Sequence, residues 1–364
     1  YYVYHKHPIK PDAVAVSWFV IFITLFNLLV ARIITHYPTI LANLDAVMTP
    51  HFESFRAINM LSLLLLVPFL FILYWWRNAN FRQALVLAIL FVGPTTLAFH
   101  DSQLLYAFRN FFGIYRVIHE DKIMAFKAMH NTTLHGIQSS EDNKRKELTS
   151  YYPPVKMIYQ TLAKPHTANH IAMVGLGVGT SLCAFNKESA VDIYEIDPDV
   201  EHLANNTQYF TYMRDCPPKK KIILGDARLM LETAPDNYYD VMVFDAYSSD
   251  AIPMHTLTKE ALDMYFRKLS KNGILAFHIS NRFLDLKAVF AAYAAVSNVH
   301  IAQASFKILD KENPLVSSSE WLVLSHDPSI IARLTRSNPL WEPLHSERTI
   351  RLWTDQYSNI LSVL

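Results

Sequence analysis

The chain has 364 residues, which at roughly 100–200 residues per domain points to two or three domains rather than one. A formal charge of +1, with Lys219-Lys220-Lys221 as the tight basic cluster, excludes nucleic-acid binding driven by counterion release, which needs a concentrated cationic face. Two cysteines, Cys183 and Cys216, exclude a disulfide framework as the organising principle; they fit a reducing compartment, and without a metal-ligand spacing no metal is expected.

Apolar residues are concentrated before about Phe99, so the mean hydropathy of +0.13 averages two different materials. Ala13 to Ala31 carries no charge between Asp12 and Arg32. At 1.5 Å per helical residue, a stretch of this length nearly crosses a hydrocarbon core of about 30 Å. Ala57 to Trp76 repeats the pattern between Arg56 and Arg77, and it ends in Tyr74-Trp75-Trp76, rings suited to the headgroup level. Gln83 to Phe99 is shorter and holds Gly93-Pro94, which fits a kinked span or a re-entrant segment. Residues 1–104 are therefore expected to be a transmembrane region of two or three helices in a lipid bilayer. Basic residues near the span ends divide evenly between the two faces, so the positive-inside rule sets no orientation.

Residues 105–154 read differently. FFGIYRVIHE, KIMAFKAMHN and TTLHGIQ alternate like half-buried strands with turn residues between them, the pattern of a small β-domain. From 155 to 364, short Val/Ile/Phe-rich runs alternate with longer amphipathic segments, as in a parallel sheet covered by helices. The runs begin at Ile171, Val191, Lys221, Val241, Ile274, His300 and Glu320. The last two strands follow one another directly, so one is expected to be antiparallel. The expected class is α/β: a seven-stranded Rossmann-like, adenosylmethionine-binding domain, preceded by the small β-domain and the N-terminal transmembrane helices.

The first of these strands ends in Gly175-Leu176-Gly177-Val178-Gly179-Thr180, a turn that lets backbone approach a ligand and that is expected to lead into a helix with its N–H groups facing that ligand. Glu195 ends the second strand about twenty residues on, where a carboxylate accepts from both hydroxyls of a ribose. Asp226 follows the third strand, placed to accept from an adenine amino group, with the Ala227 backbone at the ring edge. Asp245 ends the fourth. Strand ends of an open α/β sheet share one crevice, so these residues point to a nucleoside-bearing ligand, with an adenosyl sulfonium favoured over a dinucleotide.

LHGIQ, Tyr151-Tyr152, VGLGVG, YEIDPDV, GDAR and FDAYSSDAIP, in this order and spacing, resemble the spermidine synthases, and WTDQYS resembles their membrane-fused subgroup. The resemblance implies an aminopropyltransferase that moves the aminopropyl group of decarboxylated S-adenosylmethionine to a small-molecule amine, a diamine such as putrescine. It assigns Glu195 and Asp226 to the nucleoside, Asp245 as catalytic carboxylate with Tyr151 as its hydrogen-bond partner, and Asp250, Tyr152 and Gln138 to the amine. It also implies a homodimer, as in soluble members. Because this co-substrate is made in the cytoplasm, the catalytic domain is expected to face it from an integral inner or plasma membrane anchor. Val178 stands where soluble members carry an aspartate for the aminopropyl ammonium, His135 where they usually carry Asp, and Pro153 where an acid follows the tyrosines. Ordinary S-adenosylmethionine, with methyl transfer or a lyase or cyclase reaction, therefore stays open, as does a non-enzymatic membrane sensor of a nucleoside.

Overall fold

The computed structural model describes residues 102–131, 133–162, 168–247, 253–281, 283–307 and 313–364. The three hydrophobic stretches and Asp250 lie outside the described residues. Among the described residues no helix is long and apolar enough to cross a membrane.

The small β-domain is a four-stranded antiparallel sheet in the order β1 (Ser102–Asn110), β2 (Gly113–Glu120), β3 (Ala125–His130), β4 (Thr133–Ser139). Three of these strands match the alternating runs of the sequence; β1 is the addition. It is joined to β2 by a tight turn in which the Asn110 side chain accepts from the N–H groups of Phe112 (2.9 Å) and Gly113 (3.2 Å). Asn at this place makes the turn with its own amide, as Asn does in Asx-turns.

An α-helix, α1 (Pro153–Leu162), leads into an eight-stranded sheet. Its strands are β5 (His170–Val174), β6 (Ala190–Glu195), β7 (Lys219–Leu224), β8 (Tyr239–Phe244), β9 (Leu269–His278), β10 (His300–Phe306), β11 (Ser319–Ser325) and β12 (Trp341–Pro343). In space they run β12-β10-β11-β9-β8-β5-β6-β7. The seven expected strands are present, and β11 is antiparallel to both β9 and β10. The short edge strand β12, which pairs with β10, is an eighth that its three residues did not announce. Helices α2 (Pro198–Asn205), α3 (Tyr212–Asp215), α4 (Ala227–Glu232), α5 (Lys259–Lys268), α6 (Lys287–Ala294) and α7 (Pro328–Ser337) connect them.

Both faces of the sheet are covered, as a parallel sheet requires. Along β5, Ile171 and Met173 enter one apolar cluster with Val155 and Ile158 of α1, while Ala172 and Val174 enter the other with Leu262 and Tyr265 of α5. All four β5 residues are essentially inaccessible to solvent. The helix expected after the glycine turn is a five-residue 3-10 segment, Thr180–Ala184. Cys183 in this segment is joined to Cys216, just past α3, by a disulfide. That pairing removes the support the two scattered cysteines lent to a reducing compartment.

Two contacts hold the antiparallel sheet against the larger one. The Asn110 amide donates to both oxygens of Asp197 (2.9 and 2.7 Å) and to Asp199 (2.9 Å) at the start of α2. Gln138 of β4 is completely buried; its amide nitrogen donates to the Arg145 carbonyl (2.7 Å) and Thr211 Oγ1 (3.0 Å), and its oxygen accepts from Thr211 N–H (2.7 Å). At the other end of the chain Trp353 is buried and Asp355 grips Arg228 with both oxygens (2.8 and 2.6 Å) while accepting from Thr258 (2.7 Å). The motif WTDQYS thus serves here as a strap across the starts of α4 and α5.

Candidate active site

The chain leaves β5 to build β6 and β7 on one side, then returns to build β8 on the other, so the connections after β5 and β8 depart in opposite directions while the strand ends stay paired. Such a switch point is where open α/β sheets bind ligands. Here it opens a cleft of about 280 Å³, close to the lower end of the roughly 300–1,000 Å³ seen for small-molecule sites. Gly175, Gly177, Glu195, Asp226, Ala227 and Asp245 all line it. Gly175 has φ +92°, and a Cβ there would sit 2.4 Å from the Asp245 carbonyl oxygen; only glycine lets the loop cross that strand end. At Gly177, φ +54°, a Cβ would lie 2.8 Å from the His135 carbonyl. Gly179 instead opens the 3-10 segment and packs on Leu182 and Met213, outside the cleft lining.

Glu195 is buried, and two backbone donors hold it: Leu176 N–H on Oε2 (2.9 Å) and Asp197 N–H on Oε1 (2.9 Å). Burial pushes its pKa up and these N–H groups draw it part of the way back. Each oxygen keeps a further lone pair, so the carboxylate can accept from two vicinal hydroxyls. Asp226 caps α4, accepting from Leu229 N–H (3.0 Å), and its other oxygen meets His255 Nε2 at 3.0 Å. It borders the cleft as a rim carboxylate with both oxygens already engaged, and His255 joins it in the lining.

Asp245 has the most demanding environment. Its side chain is 6 % exposed. Oδ2 accepts from the Tyr152 hydroxyl at 2.7 Å and Oδ1 lies 2.7 Å from His278 Nδ1. Tyr152, assigned to the amine from the sequence, is thus a direct partner of Asp245, and Tyr151 stacks on His278, with ring centroids 4.3 Å apart and planes at 13°. Burial and then the Asp245 charge raise the pKa of both hydroxyls well above the usual tyrosine range, so both remain proton donors. The same two causes raise Tyr247, whose hydroxyl donates to the His278 carbonyl (2.9 Å). Gln138 faces neither hollow; it has been drawn into the joint between the two sheets, and its expected contact with the amine is corrected accordingly.

A second hollow of about 360 Å³ adjoins the first. Tyr151, His278, Ser280, Lys307 and Glu320 line it, and His135 and Tyr247 border both spaces. His278 and Ser280 were missed in the sequence. The signal was present, since His278 ends β9 at the same carboxyl edge that singled out Glu195 and Asp245.

No family model matches the chain. A polyamine aminopropyltransferase of Vibrio vulnificus is 28% identical over 209 residues, 53% of this chain and 68% of that protein. A probable polyamine aminopropyl transferase of Bifidobacterium longum is 27% identical over 193 residues, 52% of this chain and 40% of that protein. Over about half of its length the chain is thus similar in sequence to proteins named as polyamine aminopropyltransferases. Its fold is shared with a probable spermidine synthase of Corynebacterium glutamicum, at a TM-score of 0.52 and 13% identity over 70% of this chain and 98% of that one.

Two substitutions separate a ligand contact from a structural one. Glu195→Gln is expected to weaken methylthioadenosine binding of the folded protein in titration calorimetry by roughly 10–100-fold, the value of a hydrogen bond or two to a charged acceptor, and to lower the unfolding midpoint modestly, because its amide nitrogen then faces the Leu176 or Asp197 N–H that the carboxylate had accepted from. Gln138→Leu leaves Thr211 N–H and the Arg145 carbonyl without their partner, at about 1–3 kcal/mol each. It should lower the unfolding midpoint by several degrees and leave the affinity of the folded protein intact; an affinity loss without destabilisation would restore Gln138 to the ligand.

Proposed function

We propose that this chain transfers the aminopropyl group of decarboxylated S-adenosylmethionine to a small amine, with a diamine such as putrescine as the acceptor, and releases methylthioadenosine. The observation that carries the reading is Asp245, a buried carboxylate that lines the nucleoside-sized cleft and is held by Tyr152 and by His278, a residue of the second hollow. The nucleoside end is assigned to Glu195, Asp226 and the Ala227 backbone beside the glycine turn, whose missing Cβ atoms let it pass close to the Asp245 and His135 carbonyls. The acceptor is assigned to the second hollow.

The chemistry needs little else. The acceptor nitrogen attacks the methylene carbon next to the sulfonium, a C–N bond forms as the C–S bond breaks, and the sulfur leaves with the electron pair as a neutral thioether. The sulfonium is already an activated leaving group, so the amine sets the demand: with a pKa near 10 it arrives mostly protonated at neutral pH. A fixed carboxylate such as Asp245 attracts that cation, orients it and takes up or relays its proton. Tyr152, a neutral donor, holds the carboxylate in position. Asp250 is proposed as a further anchor for amine charge. A second reading, reaction of ordinary S-adenosylmethionine, is favoured by Val178: at 1 % exposed and packed against Gly136, it puts a methyl-bearing side chain where a carboxylate would greet the aminopropyl ammonium.

Residues 1–104 are proposed to anchor the enzyme in an inner or plasma membrane, ahead of the small β-domain and the catalytic domain, with the catalytic residues on the cytoplasmic side where the co-substrate is made and the chain paired as a homodimer. The support is the charge-free length of Ala13–Ala31 and Ala57–Trp76. The protein should remain in the membrane pellet after an alkaline carbonate wash and dissolve in detergent; release by carbonate alone would contradict the anchor.

Incubating the protein with decarboxylated S-adenosylmethionine and putrescine should give methylthioadenosine and a longer polyamine by mass spectrometry. Asp245→Asn should lower kcat by about 100-fold or more while methylthioadenosine still binds. Full turnover by this variant would refute the assigned role, and adenosylhomocysteine formed from the ordinary co-substrate would select methyl transfer.

A further inference from the structure

Beyond Asp245, the hydrogen bonds continue. His278 Nε2 lies 2.7 Å from Ser280 Oγ, on the side of the ring away from the carboxylate. Asp245 as a carboxylate only accepts, so Nδ1 carries the ring proton toward it, Nε2 is the acceptor, and the Ser280 hydroxyl donates to Nε2. The Glu320 N–H donates to Ser280 Oγ at 2.7 Å. A hydroxyl offers one donor and two acceptor positions; the donor and one acceptor are therefore used, and the second acceptor position belongs to a residue that lines the second hollow.

The histidine is built to keep this orientation. Its ring lies between Tyr151, 4.3 Å away at 13°, and Trp321, 5.0 Å away at 29°. The Trp321 indole donates to the Tyr151 carbonyl at 3.2 Å, which locks one face of the sandwich to the other. His278 is 5 % exposed. A buried imidazole with both nitrogens partnered and both faces stacked has one orientation, and through Ser280 it communicates with a space that water and small molecules can enter.

We propose that Ser280, His278 and Asp245 form a proton relay that draws the proton from the acceptor amine in the second hollow, Ser280 being the group that touches the acceptor. This rests on the aminopropyl-transfer reading above and extends it. The ammonium of the bound acceptor donates to the second lone pair of Ser280 Oγ. As its proton passes to Oγ, the Ser280 proton passes to Nε2, leaving a neutral amine and an imidazolium whose Nδ1–H faces the Asp245 carboxylate. The amine then attacks the methylene carbon, and the electron pair of the broken C–S bond leaves with sulfur. The new secondary ammonium retains its own proton, and the imidazolium returns its proton to solvent through Ser280 after the product leaves. No oxidant, metal or further reactant enters. The titratable and charged groups facing this chain and its hollow are Asp245 from the end of β8, Tyr151 and Tyr152 ahead of α1, Tyr247 after β8, His135 of β4, Lys307 just past β10, and Glu320 of β11, whose carboxylate is 3.7 Å from Lys287. The three tyrosines stay neutral, which leaves Asp245 as the charge in direct contact with His278.

The test is the pH dependence of turnover in Ser280→Ala, with Ser280→Thr as the variant that keeps the hydroxyl and methylthioadenosine binding as the measure of correct folding. With the relay cut, turnover depends on the neutral amine supplied by bulk solution. At pH 7 kcat/KM should fall at least about 100-fold, as for loss of a general base, and the deficit should shrink about tenfold per pH unit toward the amine pKa near 10. Ser280→Thr should recover most of the activity at pH 7, and the affinity for methylthioadenosine should be the same in all three proteins. Retained turnover in Ser280→Ala, or a loss of equal factor at every pH, overturns the relay alone. If the unaltered chain releases no methylthioadenosine with any amine, the aminopropyl reading and the relay fall together.

Discussion

The site depends on keeping one carboxylate charged in a place where water scarcely reaches it. An unpaired carboxylate buried to the degree of Asp245 is expensive and would take up a proton instead. Two charge-assisted hydrogen bonds of 2.7 Å, from Tyr152 and His278, offset that expense, one on each oxygen. Much of the local architecture follows from making room for them. Gly175 lacks a side chain because the Asp245 carbonyl occupies its place, and the tyrosine pair ahead of α1 is held by the Trp321 indole. Even the order of the strands serves it, since the connections after β5 and β8 depart in opposite directions and leave Asp245 at the border of a cleft, in the middle of a sheet whose interior is closed to solvent.

Much of this arrangement was legible in the sequence, because parallel strands announce themselves as short apolar runs and their carboxyl ends share one edge. Glu195, Asp226 and Asp245 could be placed on that edge without coordinates. What the pattern could not carry was direction. Adjacent residues Tyr151 and Tyr152 bring their rings to 4.6 Å and their hydroxyls to 3.5 Å of one another, so the sequence shows a tyrosine pair but not which hydroxyl reaches Asp245 at 2.7 Å. Gln138 illustrates the same limit: a polar residue in a motif reads alike whether it meets a ligand or clasps Thr211 and Arg145. Cys183 and Cys216 are 33 residues apart and meet only because the 3-10 segment folds back onto the end of α3. β12 is too short to have a period, and His278 lay hidden as the last letter of an apolar strand.

The cleft is completed by parts from outside the sheet. Tyr115 and His130 of the antiparallel sheet contribute stacked rings to its lining, with centroids 4.3 Å apart, and Asn110 ties that sheet to the acidic start of α2. The C-terminal strap, through Asp355 and Arg228, steadies the helix that follows Asp226. The nucleoside-sized space is thus bounded by sequence segments more than a hundred residues apart, each fixed by its own polar contact rather than by apolar packing alone.

The central claim is that Glu195, Asp226 and Asp245 surround one nucleoside, with the reacting end turned toward the second hollow. A crystal structure of the protein with methylthioadenosine tests it most directly. The account predicts the ribose hydroxyls on Glu195, the adenine beside Asp226 and Ala227, and the thioether sulfur on the Asp245 side of the glycine turn. A nucleoside bound elsewhere, or in this cleft with its sulfur pointing away from Asp245 and the second hollow, would contradict it.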